Sequence, residues 1–219
     1  MPYSPAIGRW WRRLLPTVAW QMQPQTAAMI ALAEKGPTID VGAGGRRVAP
    51  GVIAVDAVAH PGTTVVADIG HLPFREESVT GLICTGTLEH VPDPVRAIAE
   101  FARVLVTGGL AHIEAPFIQP YHADPHDYWR FTHEGLALLF RSWDVVEFGS
   151  HMGSGTGAAW VVTEAAKTPF RRRLVRRLVH LVVAVLVQPL RLVDRGGQPG
   201  DVPSGYYLRA RPPSRAKAT

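Results

Sequence analysis

Thr38-Ile39-Asp40-Val41-Gly42-Ala43-Gly44-Gly45 is the stretch that decides the fold. An apolar, β-branched run passes straight into a turn dense in glycine, the pattern of a strand ending where positive φ and close backbone approach are needed. In a doubly wound sheet, ligands bind beyond such strand ends, near the switch in strand order. A dinucleotide turn wants a third glycine where this chain has Arg47, which argues against NAD. Two more acidic strand ends follow. Val52-Ile53-Ala54-Val55-Asp56 places a carboxylate where it can accept both hydroxyls of a ribose. Val65-Val66-Ala67-Asp68 places another where it can accept from an exocyclic adenine amine. Each aspartate alone reads equally well as a turn or cap residue; the series Asp40, Asp56, Asp68 carries the argument.

Outward from this turn, short apolar runs alternate with helical segments. Strands are expected at 38–41, 52–56, 64–67, 80–85, 110–114, 145–148 and 206–209, and helices at 24–35, 94–104 and 133–140. Thr132 is placed to cap the last of these, with Glu134 in its first turn. The alternation predicts an α/β fold with an open, mostly parallel seven-stranded sheet covered by helices on both faces. The chain divides into an aromatic and basic arm at 1–23, a core at 24–149, an insert at 150–203, a final core strand at 204–210 and a disordered tail at 211–219.

Five segments in order then carry a family resemblance. They are Ile39-Asp40-Val41-Gly42-Ala43-Gly44, Ala54-Val55-Asp56, Ala67-Asp68-Ile69-Gly70-His71-Leu72-Pro73-Phe74, Leu88-Glu89-His90-Val91-Pro92-Asp93-Pro94 and Arg103-Val104-Leu105-Val106-Thr107-Gly108-Gly109. From residue 38 to about 140 the chain resembles the class I S-adenosylmethionine-dependent methyltransferases of the type 11 domain family, which have a Rossmann-like fold. The resemblance implies S-adenosylmethionine as cofactor. It sets Gly42, Ala43 and Gly44 against the methionine part, Asp40 at its amino group, Asp56 and Ala57 at the ribose, Asp68 and the Ile69 backbone at adenine, and Thr85 at the end of the fourth strand. Two departures are visible: only 45–51 separate the glycine turn from the second strand, so the first helix is compressed to a turn or loop, and Thr80 stands where the family has aspartate. The compression predicts a cofactor pocket open on that side.

The acceptor side is read from a polar and aromatic segment after the fifth strand, Pro120-Tyr121-His122-Ala123-Asp124-Pro125-His126-Asp127-Tyr128-Trp129-Arg130. It resembles a segment of methyltransferases from polysaccharide and cell-envelope glycan biosynthesis. Aromatic rings stack on sugar faces while Asp and Arg fix hydroxyls or phosphates, so Tyr121, Asp124, Tyr128, Trp129 and Arg130 are the expected substrate residues. Histidine is the natural base near neutral pH, and His90, His122 and His126, with Asp127, are the expected catalytic set. The spacing His122, Asp124, His126, Asp127 permits a divalent metal, but with no second ligand set evident no metal is assigned. An alternative is that Asp124, Asp127 and Arg130 form a salt-bridged lid that never touches the acceptor. Two rival functions keep the fold: a small-molecule methyltransferase of secondary metabolism, and a non-catalytic scaffold.

Charge sharpens the partner question. Residues 14–166 hold eight basic and sixteen acidic side chains, whereas 167–219 hold twelve basic against Asp194 and Asp201, and 1–13 carry three arginines. Basic ends on an acidic body suit an anionic partner. The run from Phe170 to Val187 starts amphipathic and basic and becomes apolar, which fits either an anionic membrane surface or packing on the domain. Trp10, Trp11 and Trp20 leave the same two choices for the arm. Nucleic acid is not expected, because the arginines alternate with aliphatic residues and lack an aromatic platform. The apolar stretch 178–190, broken by His180, Gln188 and Pro189, is too short to span a bilayer, and there is no continuous apolar leader. The single cysteine, Cys84, excludes an intramolecular disulfide and reads as a buried inert thiol. A cytoplasmic protein, peripheral on the inner membrane face, is the expectation; the oligomeric state is left open.

Overall fold

The computed structural model describes residues 35–194 and 202–214, together with Ile30 and Ala33. The arm at 1–23, most of the helix expected at 24–35 and the tail from 215 onward lie outside the described residues.

Seven strands form one sheet: β1 (Thr38–Val41), β2 (Val52–Asp56), β3 (Val65–Val66), β4 (Val79–Thr85), β5 (Leu105–Pro116), β6 (Asp144–His151) and β7 (Gly205–Arg211). Their order is β3-β2-β1-β4-β5-β7-β6, parallel throughout except that β7 runs antiparallel to both neighbours. The order reverses between β1 and β4, so a crevice opens at their carboxyl ends, where the Gly42–Gly45 turn and Thr85–Gly86 sit. β1 is wholly buried and β4 nearly so, as central parallel strands covered on both faces must be.

The helices follow from local chemistry. In α1 (Pro94–Val104) Asp93 accepts the Arg96 N–H, Pro94 occupies the first turn, and Ala97, Ile98, Phe101 and Val104 bury one face. In α2 (His133–Leu139) Thr132 accepts the Gly135 N–H. Both lie where the sequence puts them. Ile39, Leu82, Cys84, Ile113 and Leu208 meet Phe101, Leu136 and Phe140 in the main core. Burial, with the negative charges of Glu89 and Asp40 nearby, pushes the Cys84 thiol far up, so it is an inert core residue.

The first three connections carry no helix. Residues 42–51, 57–64 and 67–78 are turns and loops; for the first of these the short spacing after the glycine turn predicts as much. The last is pinned on α1, where Glu100 Oε1 accepts the Leu72 N–H at 2.7 Å and Arg103 donates to the Leu72 carbonyl at 3.0 Å. The third strand shrinks to two residues and the fifth extends at both ends.

The largest surprise lies between β6 and β7. One basic helix was expected there, but two form: α3 (Ser154–Ala166) and α4 (Arg173–Leu186), followed by a 3₁₀ segment (Gln188–Asp194). The glycine-rich start of α3 hides it, since helix propensity argues against a Ser-Gly-Thr-Gly opening. Its compensation is tertiary. The Asp194 carboxylate accepts from the Gly155 and Thr156 N–H groups and caps the helix from a distance in sequence. The Leu190 carbonyl lies where a Cβ on residue 155 would be, so only glycine fits there.

Candidate active site at the carboxyl ends of the central strands

On the cofactor side, Gly42, Gly44 and Gly45 all have positive φ. A Cβ at Gly42 would collide with the Thr87 side chain, whereas one at Gly44 would meet nothing within 4 Å, so the turn is open at Gly44. Asp56, at the end of β2, accepts the Gly44 N–H at 2.7 Å on Oδ2 and the Val58 N–H at 2.9 Å on Oδ1. A carboxylate has about four lone-pair directions, so acceptor capacity remains for a diol. Ala57 beside it is exposed. Exposed Asp68 accepts the Gly70 N–H at 2.6 Å, a turn role that leaves its second oxygen available, and Ile69 packs partly against the core.

Asp40 is fully buried at the end of β1. A single nitrogen of Arg46 approaches both carboxylate oxygens at 3.3 Å and donates to Thr85 Oγ1 at 2.9 Å. Burial holds the Asp40 pKa above the ordinary carboxylate value although Arg46 pulls it down. This carboxylate is thus poorly compensated for its depth. An open glycine backbone, a diol acceptor and a buried acid short of positive charge fit a cationic nucleoside such as S-adenosylmethionine.

Beside this, a cleft of about 180 Å³ opens beyond β4 and β5. Thr85 and Gly86 form its cofactor-facing wall; Glu89, His90, Glu114, His122, His151 and Trp160 line the rest. Glu89 is 1% exposed and lies in the 3₁₀ turn Leu88–His90. Its Oε1 is 3.5 Å from His122 Nε2 and 3.9 Å from His90 Nε2. Glu89 is the largest influence raising the His122 pKa, against the opposing effect of burial. Beneath them His112 Nε2 lies 2.8 Å from Glu114 Oε1, and His151 Nδ1 lies 3.4 Å from Glu114 Oε2. Burial pulls the His151 pKa down, which favours its neutral form.

The aromatic segment wraps over this cleft. The Tyr128 N–H donates to the Glu89 carbonyl at 2.7 Å, and the Trp129 indole N–H donates to the Val91 carbonyl at 2.8 Å. Asp127 makes a forked pair with Arg130 at 2.5 and 2.8 Å and accepts the His122 N–H at 2.7 Å. Arg130 also donates to the Gln119 and Pro120 carbonyls. Asp127 and Arg130 therefore staple the segment, as the lid alternative anticipates for these two residues. Asp124 takes no part in the staple and is exposed, with His126. The rings of Tyr121, Tyr128 and Trp129 are 78%, 47% and 42% exposed.

Comparison with known proteins gives the site its meaning. Residues 39–113 match the family model described as a methyltransferase domain. The chain carries an S-adenosylmethionine-dependent methyltransferase domain. No curated protein sequence matches it. Among solved structures, a methyltransferase from Methanosarcina mazei is 13% identical, with 90% of this chain and 100% of that chain covered and a TM-score of 0.54. A chain from the complex of the Haloferax volcanii Trm112 methyltransferase activator with a protein assigned as a methyltransferase is 16% identical, with 83% of each covered and a TM-score of 0.53. Phosphoethanolamine N-methyltransferase 2 of Haemonchus contortus, bound to phosphomonomethylethanolamine and S-adenosylhomocysteine, is 13% identical, with 86% of this chain and 53% of that one covered and a TM-score of 0.51. At such identities the likenesses establish the fold.

Within this methyltransferase, the expected residues separate into groups. Asp40, Gly42, Ala43, Gly44, Asp56 and Thr85 gather at the β1, β2 and β4 ends; His90 and His122 meet across the cleft, with ring centroids 5.4 Å apart and perpendicular planes. His126 and Asp127 are not in the cleft lining. Of the residues in the spacing His122, Asp124, His126, Asp127, Asp127 is held by Arg130 and only His122 joins a cluster of possible ligands; the described residues assemble Glu89, His90 and His122 instead. Glu89 stood in a quoted motif without a role. Glu114, His151 and Trp160 were missed, because each reaches the cleft from a different element and no spacing links them.

Proposed function

We propose that this methyltransferase transfers its methyl group to a hydroxyl oxygen, with a sugar hydroxyl on a glycan or lipid-linked saccharide as acceptor. The observation that carries this reading is the Glu89–His122 couple, 3.5 Å apart on the cleft wall next to Thr85 and Gly86. S-adenosylmethionine supplies a methyl carbon already activated by its sulfonium, so the chain has two tasks: hold the acceptor in line and take its proton. In the ion-free chain, His122 Nε2 takes that proton and the buried Glu89 carboxylate stabilises the resulting imidazolium. The Pro120 carbonyl, 2.8 Å from Nδ1, fixes the tautomer with Nε2 free. Exposed Tyr121, Tyr128 and Trp129 offer ring faces for a sugar at the mouth.

The test is transfer of labelled methyl from S-adenosylmethionine into fractionated glycans and lipid-linked saccharides. Label retained as an alkali-stable ether supports the proposal. Label only in amines, nucleic acid or small metabolites sinks the acceptor class, and none anywhere favours a scaffold.

A second element of the reading is attachment to an anionic membrane surface through α4. Arg171, Arg172, Arg173, Arg176 and Arg177 are exposed, and Leu174, Leu178, Leu181, Val182 and Val185 form an exposed apolar stripe at helical spacing. Among the described residues no helix is long and apolar enough to cross a membrane. Cosedimentation with vesicles containing anionic lipid, lost on changing Arg171, Arg172 and Arg173 to Gln, is the expected result; equal binding of the variant would refute it.

A further inference from the structure

Three side chains on the cleft wall are arranged as atoms sharing an ion are, more than as atoms bonded to each other. Glu89 Oε1 stands 3.5 Å from His122 Nε2 and 3.9 Å from His90 Nε2. These separations exceed ordinary hydrogen bonds, for which about 2.7–3.2 Å is usual. The 3.5 Å separation is close to the ~3.3 Å between two ligands of a tetrahedral ion with bonds of about 2.0 Å, and the 3.9 Å one is a few tenths of an ångström wider. All three ligand atoms lie within 4.8 Å of one another.

The surroundings support the same reading. His122 Nδ1 is 2.8 Å from the Pro120 carbonyl and His90 Nδ1 is 2.5 Å from the His126 carbonyl. Each ring thus donates its Nδ1–H to a backbone oxygen and turns the Nε2 lone pair toward Glu89, the orientation that metal-bound histidines receive from their neighbours. Glu89 is 1% exposed, and its Oε2 has no hydrogen-bond partner. A buried carboxylate left in this state is costly, and a cation relieves it.

We propose that Glu89, His90 and His122 bind one divalent first-row transition-metal ion, with an open coordination position facing the cleft. Two imidazoles and one carboxylate suit zinc or a similar ion and not magnesium or calcium, which favour all-oxygen sets. Three protein ligands leave a fourth position for an acceptor oxygen. Such an ion would lower the pKa of that oxygen directly, in place of proton uptake by His122. The site stands on these three side chains and not on the acceptor's identity, so it can fail while the sugar reading survives, and the reverse.

The test is titration of the metal-stripped chain with Co²⁺, read by visible absorption and calorimetry. One Co²⁺ per chain is expected, displaced by Zn²⁺ and not by Mg²⁺. His90→Ala and His122→Ala, both at partly exposed positions outside the sheet and the α-helices, are each expected to weaken binding tenfold or more, and Glu89→Gln likewise. His71→Ala, at an exposed histidine elsewhere, should leave it unchanged. No Co²⁺ binding by the wild type, wild-type affinity in both His90→Ala and His122→Ala, or displacement by Mg²⁺ as readily as by Zn²⁺ would each overturn the proposal.

Discussion

The two halves of this active site are built on opposite plans. The cofactor half, at the ends of β1 and β2, is made of backbone and short loops: a glycine turn, one carboxylate per strand end, and connections without helices. The acceptor half, beyond β4 and β5, is made of side chains, among them buried Glu89, Glu114 and His151 and half-buried His90, His122 and Trp160, that converge from the Leu88–His90 turn, β5, the stapled segment, β6 and α3. A common ligand approached through backbone groups can be held by a local motif. An individual acceptor has to be met by side chains placed from many directions, and nothing short of the fold brings them together.

If the halves are separate devices, lesions in one should spare the other. His122→Ala is expected to lower methyl transfer by about 10²-fold or more, the usual contribution of a positioned base. Affinity for S-adenosylhomocysteine should stay within twofold, and a large loss of that affinity would break the separation. Asp127→Ala should follow, at about 3 kcal/mol of stability, because it removes a carboxylate that is 1% exposed from its fork with Arg130. Urea denaturation measures the loss, and limited proteolysis within 119–130 should rise with it; an unchanged midpoint would show that the staple carries no stability.

A smaller effect tests the loop on the cofactor side. The hydrogen bonds from Arg103 hold the Glu100 pKa below the usual carboxylate range, against partial burial, with the Leu72 N–H assisting. A depressed folded pKa means stability that is present above the unfolded value of about 4.3 and lost as pH falls through the lower folded one. Glu100→Gln should therefore cost about 1 kcal/mol at pH 7. The gap to wild type should persist down to about pH 4.3 and close below it; a gap independent of pH would mean the contact acts through shape alone.

Legibility in the sequence divides along the same line. The turn at Gly42–Gly45, the strand end at Asp56, α1 with Pro94 in its first turn and α2 with its Thr132 cap were readable because local chemistry dictates them, whereas Asp68, expected to end the third strand, lies in the loop two residues beyond β3. The bare loop between β1 and β2 followed from its length. α3 was not readable: its glycines are tolerated only because Asp194 caps it and the Leu190 carbonyl needs the room. In the 120–130 segment the residue types were conspicuous but their roles were not. Asp127 read as part of the catalytic set and Arg130 as a sugar contact, and the two pair as a staple, while Glu89, within the Leu88–Pro94 motif, is the buried carboxylate facing both histidines.

The most direct test of the account is calorimetric titration of S-adenosylhomocysteine into the wild type and Asp56→Ala. One site per chain is expected, weakened about tenfold or more in the variant, since hydrogen bonds to a charged group contribute about 1.5–3 kcal/mol. No binding to the folded wild type would contradict the assignment of the cofactor site, and equal affinity in Asp56→Ala would remove its ribose role.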